Sequence, residues 1–284
     1  MFINPPKILG HKSLFINGNF VTPEYILSLQ QNDVHLFKRY CPHRQYPIST
    51  PGSFINDITC DFHGLQWSSA GEPKNHPYKL KCGTAKIGKS GLIFLNWNEP
   101  VHKWIDDIAA QSSLEYSHSC FGKSETGSYL WLMEVMADYL HVRQSKIHPE
   151  LSKQVDLDRV IMDQGTDWIL QTHGHNWTSI FIFPYSFVEY KQGCLSVNYV
   201  IPNDINNEFG FEWITQFFYN NSVSQTERDT FESLEFGFRE DVSTIEKQKG
   251  GYYPLKFPLN HLEDHCIVWG NWVKNNRRKN DSSY

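Results

Sequence analysis

Two short pairs of cysteine and histidine are the first residues in this sequence that could do chemistry together. Cys41 and His43 are separated by one residue, Cys60 and His63 by two, and sixteen residues lie between the pairs. Within each pair, both side chains can reach one metal site. Two thiolates and two imidazoles can hold a structural Zn²⁺ ion, or a [2Fe–2S] cluster with cysteine on one iron and histidine on the other. The spacing predicts a metal centre and leaves both possibilities open.

The loops that contain these pairs favour the cluster over zinc. Residues 41–49 (CPHRQYPIS) and 60–73 (CDFHGLQWSSAGEP) each close with Gly, Pro or small residues, and strand-like runs rather than a finger helix surround them. The two segments resemble the C-x-H and C-x-x-H-G loops of Rieske domains. GLIFLN at 91–96 is similar to the strand that closes such a domain.

This resemblance implies a Rieske [2Fe–2S] cluster and assigns its four ligands. Cys41 and Cys60 would bind one iron through sulfur, and His43 and His63 would bind the other through nitrogen. Neutral imidazoles in place of two thiolates make such a cluster less negative, which raises its reduction potential.

A second group of candidate ligands follows in a segment of helical composition. Residues 129–142 (YLWLMEVMADYLHV) lack Gly and Pro and are rich in Leu and Met, which predicts a helix with Asp138 and His141 on one face. His148 lies seven residues beyond His141. That is a rise of about 10.5 Å on a straight helix, too far for one metal ion. We therefore expect the helix to end or bend between the two histidines, and Pro149 fits a break there.

This block resembles the D-x-x-H-x-x-x-x-H-P segment of Rieske non-haem iron oxygenases, including its HPEL ending, with six residues rather than four between the histidines. In that family two histidines and one carboxylate hold Fe(II) and leave positions open for O₂ and substrate. The resemblance implies that His141 and His148 are iron ligands. It places the carboxylate far downstream, before a Q-x-G element, where Asp241 is the predicted ligand and Glu240 the alternative. An exposed acidic helix face is the other interpretation of that segment.

Asp138 has a different role by the same resemblance. Members of the family are usually ring-shaped trimers, in which the cluster of one subunit lies beside the mononuclear iron of the next. An acidic residue bridges a cluster-ligand histidine and an iron-ligand histidine across that interface. The resemblance gives Asp138 this bridging, catalytic role. Electrons would pass from the cluster through His43 or His63, then Asp138 and His141, to the iron.

The elements that must position these residues divide the chain in two. Residues 1–100 contain short aromatic or β-branched runs between Pro and Gly, which predicts a small all-β module. In residues 101–284, hydrophobic spacing predicts a helix over 101–120 and antiparallel strands within 166–220. The charged, helix-compatible composition of 224–248 predicts another helix, and the polar tail from Lys274 is expected to fray. The resemblance implies an α+β protein. An N-terminal all-β Rieske [2Fe–2S] domain would precede a catalytic mononuclear iron domain with a helix-grip, START-like fold, in which an antiparallel sheet wraps a long helix.

Composition excludes several classes of protein. A chain of 284 residues with 40% hydrophobic and 15% aromatic residues can bury a core, which excludes a disordered protein. The net charge of -5 argues against nucleic acid or an anionic membrane as a partner. No apolar run approaches the ~20 residues that span a bilayer, and the N-terminus lacks the apolar core of a signal peptide. Six cysteines are too few for a disulfide scaffold, so we expect a reducing cytoplasm.

The resemblance implies that the chain is the terminal oxygenase (alpha) subunit of a Rieske non-haem iron oxygenase of the aromatic-ring-hydroxylating dioxygenase family. A separate NAD(P)H-dependent reductase, with or without a ferredoxin, would supply electrons, because no G-x-G-x-x-G nucleotide fingerprint follows a strand. The reaction would be dihydroxylation, monohydroxylation or demethylation of a small organic substrate, with aromatic compounds among the candidates. The alternatives are a Rieske electron carrier with a non-catalytic second domain and a zinc-binding module. Candidate substrate-lining residues are Trp177, Phe183, Tyr199, Trp213 and Phe217.

Overall fold

The chain forms two compact units in the computed structural model, Lys7–Ile108 and Ala109–Tyr284. The expected boundary after residue 100 coincides with the start of helix α1 (Pro100–Gln111), so most of α1 belongs to the first unit. The structure describes residues 8–15, 18–21, 25–30, 33–48, 57–80, 82–95, 100–144, 147–149, 151–153, 160–174, 177–204 and 207–281.

Antiparallel strands build the first unit, as the sequence predicts. The strands are β1 (Ile8–His11), β2 (Asn19–Val21), β3 (Tyr25–Gln30), β4 (Asp33–Lys38), β5 (Asp57–Cys60), β6 (Leu65–Ser68), β7 (Cys82–Ile87) and β8 (Leu92–Phe94). Six of them form one sheet in the order β1-β8-β7-β4-β3-β2, and β5 and β6 form a separate hairpin. Trp67 on the hairpin is fully buried, and its indole N–H donates to the carbonyl of Tyr78 at 2.7 Å.

A seven-stranded antiparallel sheet is the framework of the second unit. Its strands are β9 (Glu115–Ser128), β10 (Ile161–Gln164), β11 (Trp168–His173), β12 (Trp177–Ile182), β13 (Ser186–Lys191), β14 (Cys194–Pro202) and β15 (Phe209–Tyr219). Their order in the sheet is β10-β11-β12-β13-β14-β15-β9. The strands and the antiparallel pairing predicted within 166–220 are confirmed by β11 to β15.

Strand β9 shows that the helix expected over 101–120 is wrong in its second half. Helix α1 ends at Gln111, the backbone turns at Ser113 with φ 48°, and β9 begins at Glu115. The strand pairs with β15 at the edge of the sheet, and most of its side chains are exposed or half-buried. It therefore carries little of the apolar alternation by which a half-buried strand is identified from sequence.

Four further helices complete the second unit: α2 (Tyr129–Ala137), α3 (Tyr139–Gln144), α4 (Gln225–Ile245) and α5 (Asp264–Asp281). Helix α4 confirms the prediction over 224–248, and it begins at a capping box made by Ser224 and Glu227. Helix α5 continues into the tail that was expected to fray. None of the helices in the described part of the chain is long and apolar enough to cross a membrane.

The segment 129–142 forms two helices rather than one. Asp138 separates them with an extended backbone (φ -90°, ψ 101°), and its Oδ1 accepts from the backbone N–H groups of Leu140 at 2.9 Å and His141 at 3.2 Å. The carboxylate therefore satisfies backbone donors that the first turn of α3 leaves unpaired. Helix α3 ends at Gln144, and His148 lies beyond it, which confirms the expected end of the helix between the two histidines.

Candidate metal centres

Two tight turns present the Cys-His pairs of the first unit. The carbonyl of Cys41 accepts from the N–H of Gln45, and the carbonyl of Cys60 accepts from the N–H of Gly64, both at 2.8 Å. Gln45 (φ 55°) and Gly64 (φ 67°) both adopt the left-handed conformation, which glycine tolerates best. Each cysteine and its histidine therefore lie on one short, closed loop.

The two loops bring their cysteines together in a buried position, whereas His43 is half-buried and His63 is exposed. Cys41 and Cys60 are 1% and 0% exposed, and burial, with the neighbouring Cys41 thiol, raises the pKa of Cys60. The rings of His43 and His63 lie 4.9 Å apart between centroids. Nδ1 of His43 is buried and has no hydrogen-bond partner among the described residues. A buried nitrogen without a partner is unusual unless a metal takes that place, so these four side chains fit a two-sulfur, two-nitrogen cluster site.

The second centre brings together side chains from separate segments: His141 in α3, His148 after it, and Asp241 in α4. Nε2 of His148 lies 2.7 Å from Oδ1 of Asp241 and 3.1 Å from Nε2 of His141. The remaining pair, His141 Nε2 and Asp241 Oδ1, is 3.3 Å apart. Two ligand atoms about 2.1 Å from one ion, at right angles to each other, lie about 3 Å apart. The triad therefore has the spacing of a 2-His-1-carboxylate metal site.

Burial keeps this triad away from bulk water and strengthens its internal interactions. The side chains of His148, Asp241 and His141 are 0%, 4% and 17% exposed. Burial alone would raise the pKa of Asp241, but the two imidazoles beside it outweigh that effect and hold the pKa below its usual value. Burial alone would lower the pKa of His148, but Asp241 and Glu240 outweigh it and raise the pKa. The site therefore favours an anionic carboxylate facing positive charge.

Outer hydrogen bonds fix the orientation of both imidazoles. Nδ1 of His148 donates to Oε2 of Glu240 at 2.8 Å, and Nδ1 of His141 donates to the main-chain carbonyl of Asp138. With Nδ1 as the donor, Nε2 of each ring is left as the nitrogen that can bind a metal. Of the two predicted acidic residues, Asp241 thus faces the other donors. Glu240 instead contacts Nδ1 of His148, the ring nitrogen that does not face Asp241. The Asp138 carboxylate accepts from the backbone N–H of His141 but does not bond to its imidazole, since Oδ2 of Asp138 is 3.9 Å from Nδ1.

A narrow cavity lies beside Asp241, between the sheet and helices α2 and α4. Its volume is about 40 Å³, so an organic molecule would enter only if side chains moved, and Met136 has the most adaptable side chain there. Of the five aromatic residues suggested from sequence, Phe217 lines this cavity, whereas Phe183 and Trp213 belong to the hydrophobic core. The lining is Met136, Phe187, Glu189, Ser196, Asn198, Thr215, Phe217, Glu235, Gly237, Phe238 and Asp241.

Comparison with known proteins identifies the first unit and the overall fold. Residues 7–86 match the Rieske [2Fe-2S] domain family, a segment that contains both Cys-His pairs. This match indicates a [2Fe–2S] cluster as a cofactor and favours it over zinc. No curated protein sequence matches the chain.

Solved structures of three enzymes are similar to the chain over nearly its whole length. A quaternary ammonium Rieske monooxygenase, described for carnitine oxidation by gut microbiota, is 15% identical, with a TM-score of 0.64 over 95% of this chain and 88% of its own. Apo dicamba monooxygenase is 11% identical, with a TM-score of 0.63 over 99% and 98%. The QL mutant of NdmA from Pseudomonas putida CBB5, with theobromine, is 16% identical, with a TM-score of 0.59 over 95% and 88%.

These similarities agree with the architecture described above. An all-β unit carries the Cys-His loops, and a seven-stranded antiparallel sheet with helices follows it, which confirms the expected α+β class. The chain therefore carries a Rieske [2Fe–2S] domain and has the fold of the Rieske oxygenases.

Proposed function

We propose that the chain is the terminal oxygenase subunit of a Rieske system, which oxidises a small organic molecule with O₂. The triad of His141, His148 and Asp241 carries this proposal, because it offers three converging donors in a chain that also has a Rieske domain. When bound, Fe(II) at the triad and the cluster at Cys41, His43, Cys60 and His63 would supply O₂ activation and single electrons.

The protein's own residues orient the donors and exclude water. Glu240 and the Asp138 carbonyl each accept a hydrogen bond from an imidazole Nδ1, so neither ring can rotate or change tautomer without losing that bond. Asp241 is buried next to both rings, and the cavity beside it would, once its side chains move, place a substrate next to a metal bound at the triad. Because the protein supplies only three donors, Fe(II) bound there would keep positions for O₂ and substrate.

Asp138 is our candidate for relaying electrons between subunits of a homotrimer. Its carboxylate is 21% exposed and lies near His141 in sequence and space, so it could accept from a histidine of a neighbouring subunit. The related quaternary ammonium monooxygenase is described for inter-subunit electron transfer. Asp138→Asn should keep both metal centres and slow the oxidation of the reduced cluster sharply in a single turnover. An unchanged rate would remove Asp138 from the route.

Electrons would come from a separate NAD(P)H-dependent reductase, with or without a ferredoxin. We favour monooxygenation or demethylation, because two of the three similar structures are of enzymes named monooxygenases. We also propose a reducing, cytoplasmic setting, since Cys41, Cys60, Cys120, Cys194 and Cys266 are free thiols in the structure.

The first experiment is anaerobic purification followed by measurement of iron and acid-labile sulfide per chain, with an EPR spectrum after reduction. We expect two cluster irons, two sulfides and one further iron, together with a Rieske-type signal. His141→Ala should keep the cluster signal, lose the further iron and stop turnover. Its control is His35→Ala, which replaces a half-buried histidine of β4 that belongs to neither donor set.

Other results would select other functions. Two irons and two sulfides with no further iron, even after Fe(II) is added, would favour a Rieske electron carrier with a non-catalytic second unit. Zinc without sulfide would contradict both. Retained turnover in His141→Ala would remove His141 from the iron site.

A further inference from the structure

The cavity beside Asp241 contains a second carboxylate whose position the metal site does not explain. Glu189 lies on β13 and lines this cavity together with Asp241. It belongs to neither metal centre, and it is not part of any motif in the sequence. A buried or half-buried acid needs a compensating partner, so the position of Glu189 in the wall of this narrow cavity requires a reason.

The sheet register places Glu189 in a row of polar side chains on the inner face. Across neighbouring strands, Gln171 pairs with Ser179, Ser179 with Glu189, and Glu189 with Ser196. Residues directly opposite in adjacent strands point to the same face of a sheet. Gln171, at the end of the row, is fully buried, and neither its amide nitrogen nor its oxygen has a hydrogen-bond partner among the described residues. The row therefore has hydrogen-bonding capacity that protein groups leave unused.

Glu189 has no cationic partner among the residues that the structure describes. The Ser179 hydroxyl donates to its Oε1 at 3.3 Å, and no Lys, Arg or His of the described chain forms an ion pair with it. Lys191, two residues along the same strand, has its ammonium 4.8 Å from the centroid of the Trp177 ring instead. The other acid of the cavity wall, Glu235, is already paired with Arg239 at 2.8 Å. Glu189 is thus the lining acid that neither a cation nor the metal site accounts for.

Aromatic rings form the apolar part of the same cavity. Phe187 and Phe238 are stacked with centroids 5.6 Å apart, and Phe217 lines the wall next to them. The faces of aromatic rings attract cations, and the attraction grows where water is excluded. A carboxylate among aromatic rings is a combination that recognises organic ammonium groups.

We propose that Glu189 determines substrate specificity and that the substrate is an organic cation of the ammonium class. Its charged group pairs with Glu189 against the rings, and the carbon to be oxidised lies toward Asp241. This inference rests on the proposed oxygenase function, because the metal site gives the cavity its role. A neutral substrate that accepts a hydrogen bond from a protonated Glu189 is the competing possibility.

The test compares two probes that have the same shape and differ in charge, choline and 3,3-dimethylbutan-1-ol. Binding to the purified, metal-loaded protein is measured by calorimetry near pH 8, above the pKa of about 7 that burial gives Glu189. We expect choline to bind about tenfold or more tightly than the alcohol. Equal affinity, tighter binding of the alcohol, or binding of neither probe would overturn the proposal.

Two variants test whether the preference for choline over the alcohol depends on Glu189. Glu189→Gln keeps the size and removes the charge, and should bring the two probes to within about twofold of each other. Glu212→Gln removes an exposed charge on β15 and should keep the full preference. Circular dichroism and the cluster spectrum establish that both variants are folded. A folded Glu189→Gln protein that still prefers choline would overturn the assignment.

Iron content and O₂ uptake on the same preparations separate this proposal from the broader one. A protein that holds three irons and consumes O₂ with neutral compounds, but shows no preference for choline, is an oxygenase in which Glu189 has another role. A protein without the third iron that still prefers choline has a cation site and is not an oxygenase. Each proposal can therefore fail by itself.

Discussion

At the scale of single residues, Glu240 is the outer support of the proposed iron site. It accepts from Nδ1 of His148 at 2.8 Å, opposite the nitrogen that faces Asp241. Removing such a partner typically lowers metal affinity ~10–100-fold. Glu240→Ala should therefore weaken Fe(II) binding by that factor and keep the cluster signal, and Glu240→Gln, which can still accept, should lose less.

Fe(II) titration of the metal-free second site, followed by calorimetry, measures this effect. Asp229→Asn is the matched control, because it removes an exposed acid from the same helix. Should Glu240→Ala bind Fe(II) as tightly as the unaltered protein, the hydrogen bond to His148 does not support the metal.

Glu189 also predicts how stability depends on pH. Burial raises its pKa from 4.5 to about 7, so the folded state holds this proton more tightly than the unfolded state. The associated stability is fully present below pH 4.5 and is lost as the pH rises through about 7. Glu189→Gln stays neutral throughout. Without ligand it should gain about 1–3 kcal/mol over the unaltered protein between pH 5 and pH 8, after allowance for partial exposure.

Thermal unfolding midpoints of the two proteins across this pH range provide the measurement. Glu134, whose pKa burial also raises to about 7, is present in both proteins and cancels in the difference. Parallel curves for the two proteins would mean that Glu189 titrates normally.

Residues with a local motif could be predicted, and residues without one could not. The spacing within the Cys-His pairs predicts a metal centre from the residues alone, whereas His141 and His148 were identified as ligands by the family resemblance. Asp241 could likewise be identified only from the family resemblance, because the two histidines that it contacts lie about a hundred residues earlier in the sequence. Glu189 is one acid within the strand SFVEYK, and only the pairing with Ser179 and Ser196 reveals that it faces the interior.

At the scale of elements, the structure differs from the predicted helices at Asp138 and at β9, and the two differences have opposite causes. The break at Asp138 comes from a side chain that satisfies the backbone N–H groups of Leu140 and His141, a competition that helix propensity does not include. Strand β9 forms because β15 offers it a long partner, although its own side chains are largely polar. Tertiary pairing therefore decides the conformation of β9, whereas a local contact decides that of Asp138.

Strand β9 makes a further prediction through its glycine at 122. Gly122 pairs with Trp213 across the strands, and a Cβ added there would lie 2.0 Å from the Trp213 ring. Since Trp213 is in the core, Gly122→Ala must displace a packed indole and should destabilise the second unit by about 1–3 kcal/mol. Gly83→Ala is the matched strand control, because its Cβ would meet Leu36 at an ordinary 3.7 Å.

Thermal unfolding of the three proteins distinguishes these cases. Gly122→Ala should lower the midpoint by several degrees, and Gly83→Ala should leave it nearly unchanged. Equal midpoints for Gly122→Ala and the unaltered protein would show that the indole moves without cost.

At the scale of the whole molecule, each proposed metal centre lies within one compact unit. Cys41 and Cys60 belong to Lys7–Ile108, whereas His148 and Asp241 belong to Ala109–Tyr284. No described side chain is shared between the two donor sets. The centres should therefore assemble independently. The proposed catalytic cycle should need both, because in it electrons would reach the second centre only through the first.

This independence can be tested by removing one centre at a time. Cys41→Ser should abolish acid-labile sulfide and the Rieske signal, yet keep one Fe(II) that His148 and Asp241 bind. His148→Ala should do the reverse, with two irons and two sulfides retained and the third iron lost. Neither variant should turn over substrate, because one lacks the electron supply and the other lacks the site of oxidation. If Cys41→Ser also lost the third iron while circular dichroism stayed unchanged, the second site would depend on the first, and the two units would act as one folding and metal-binding body.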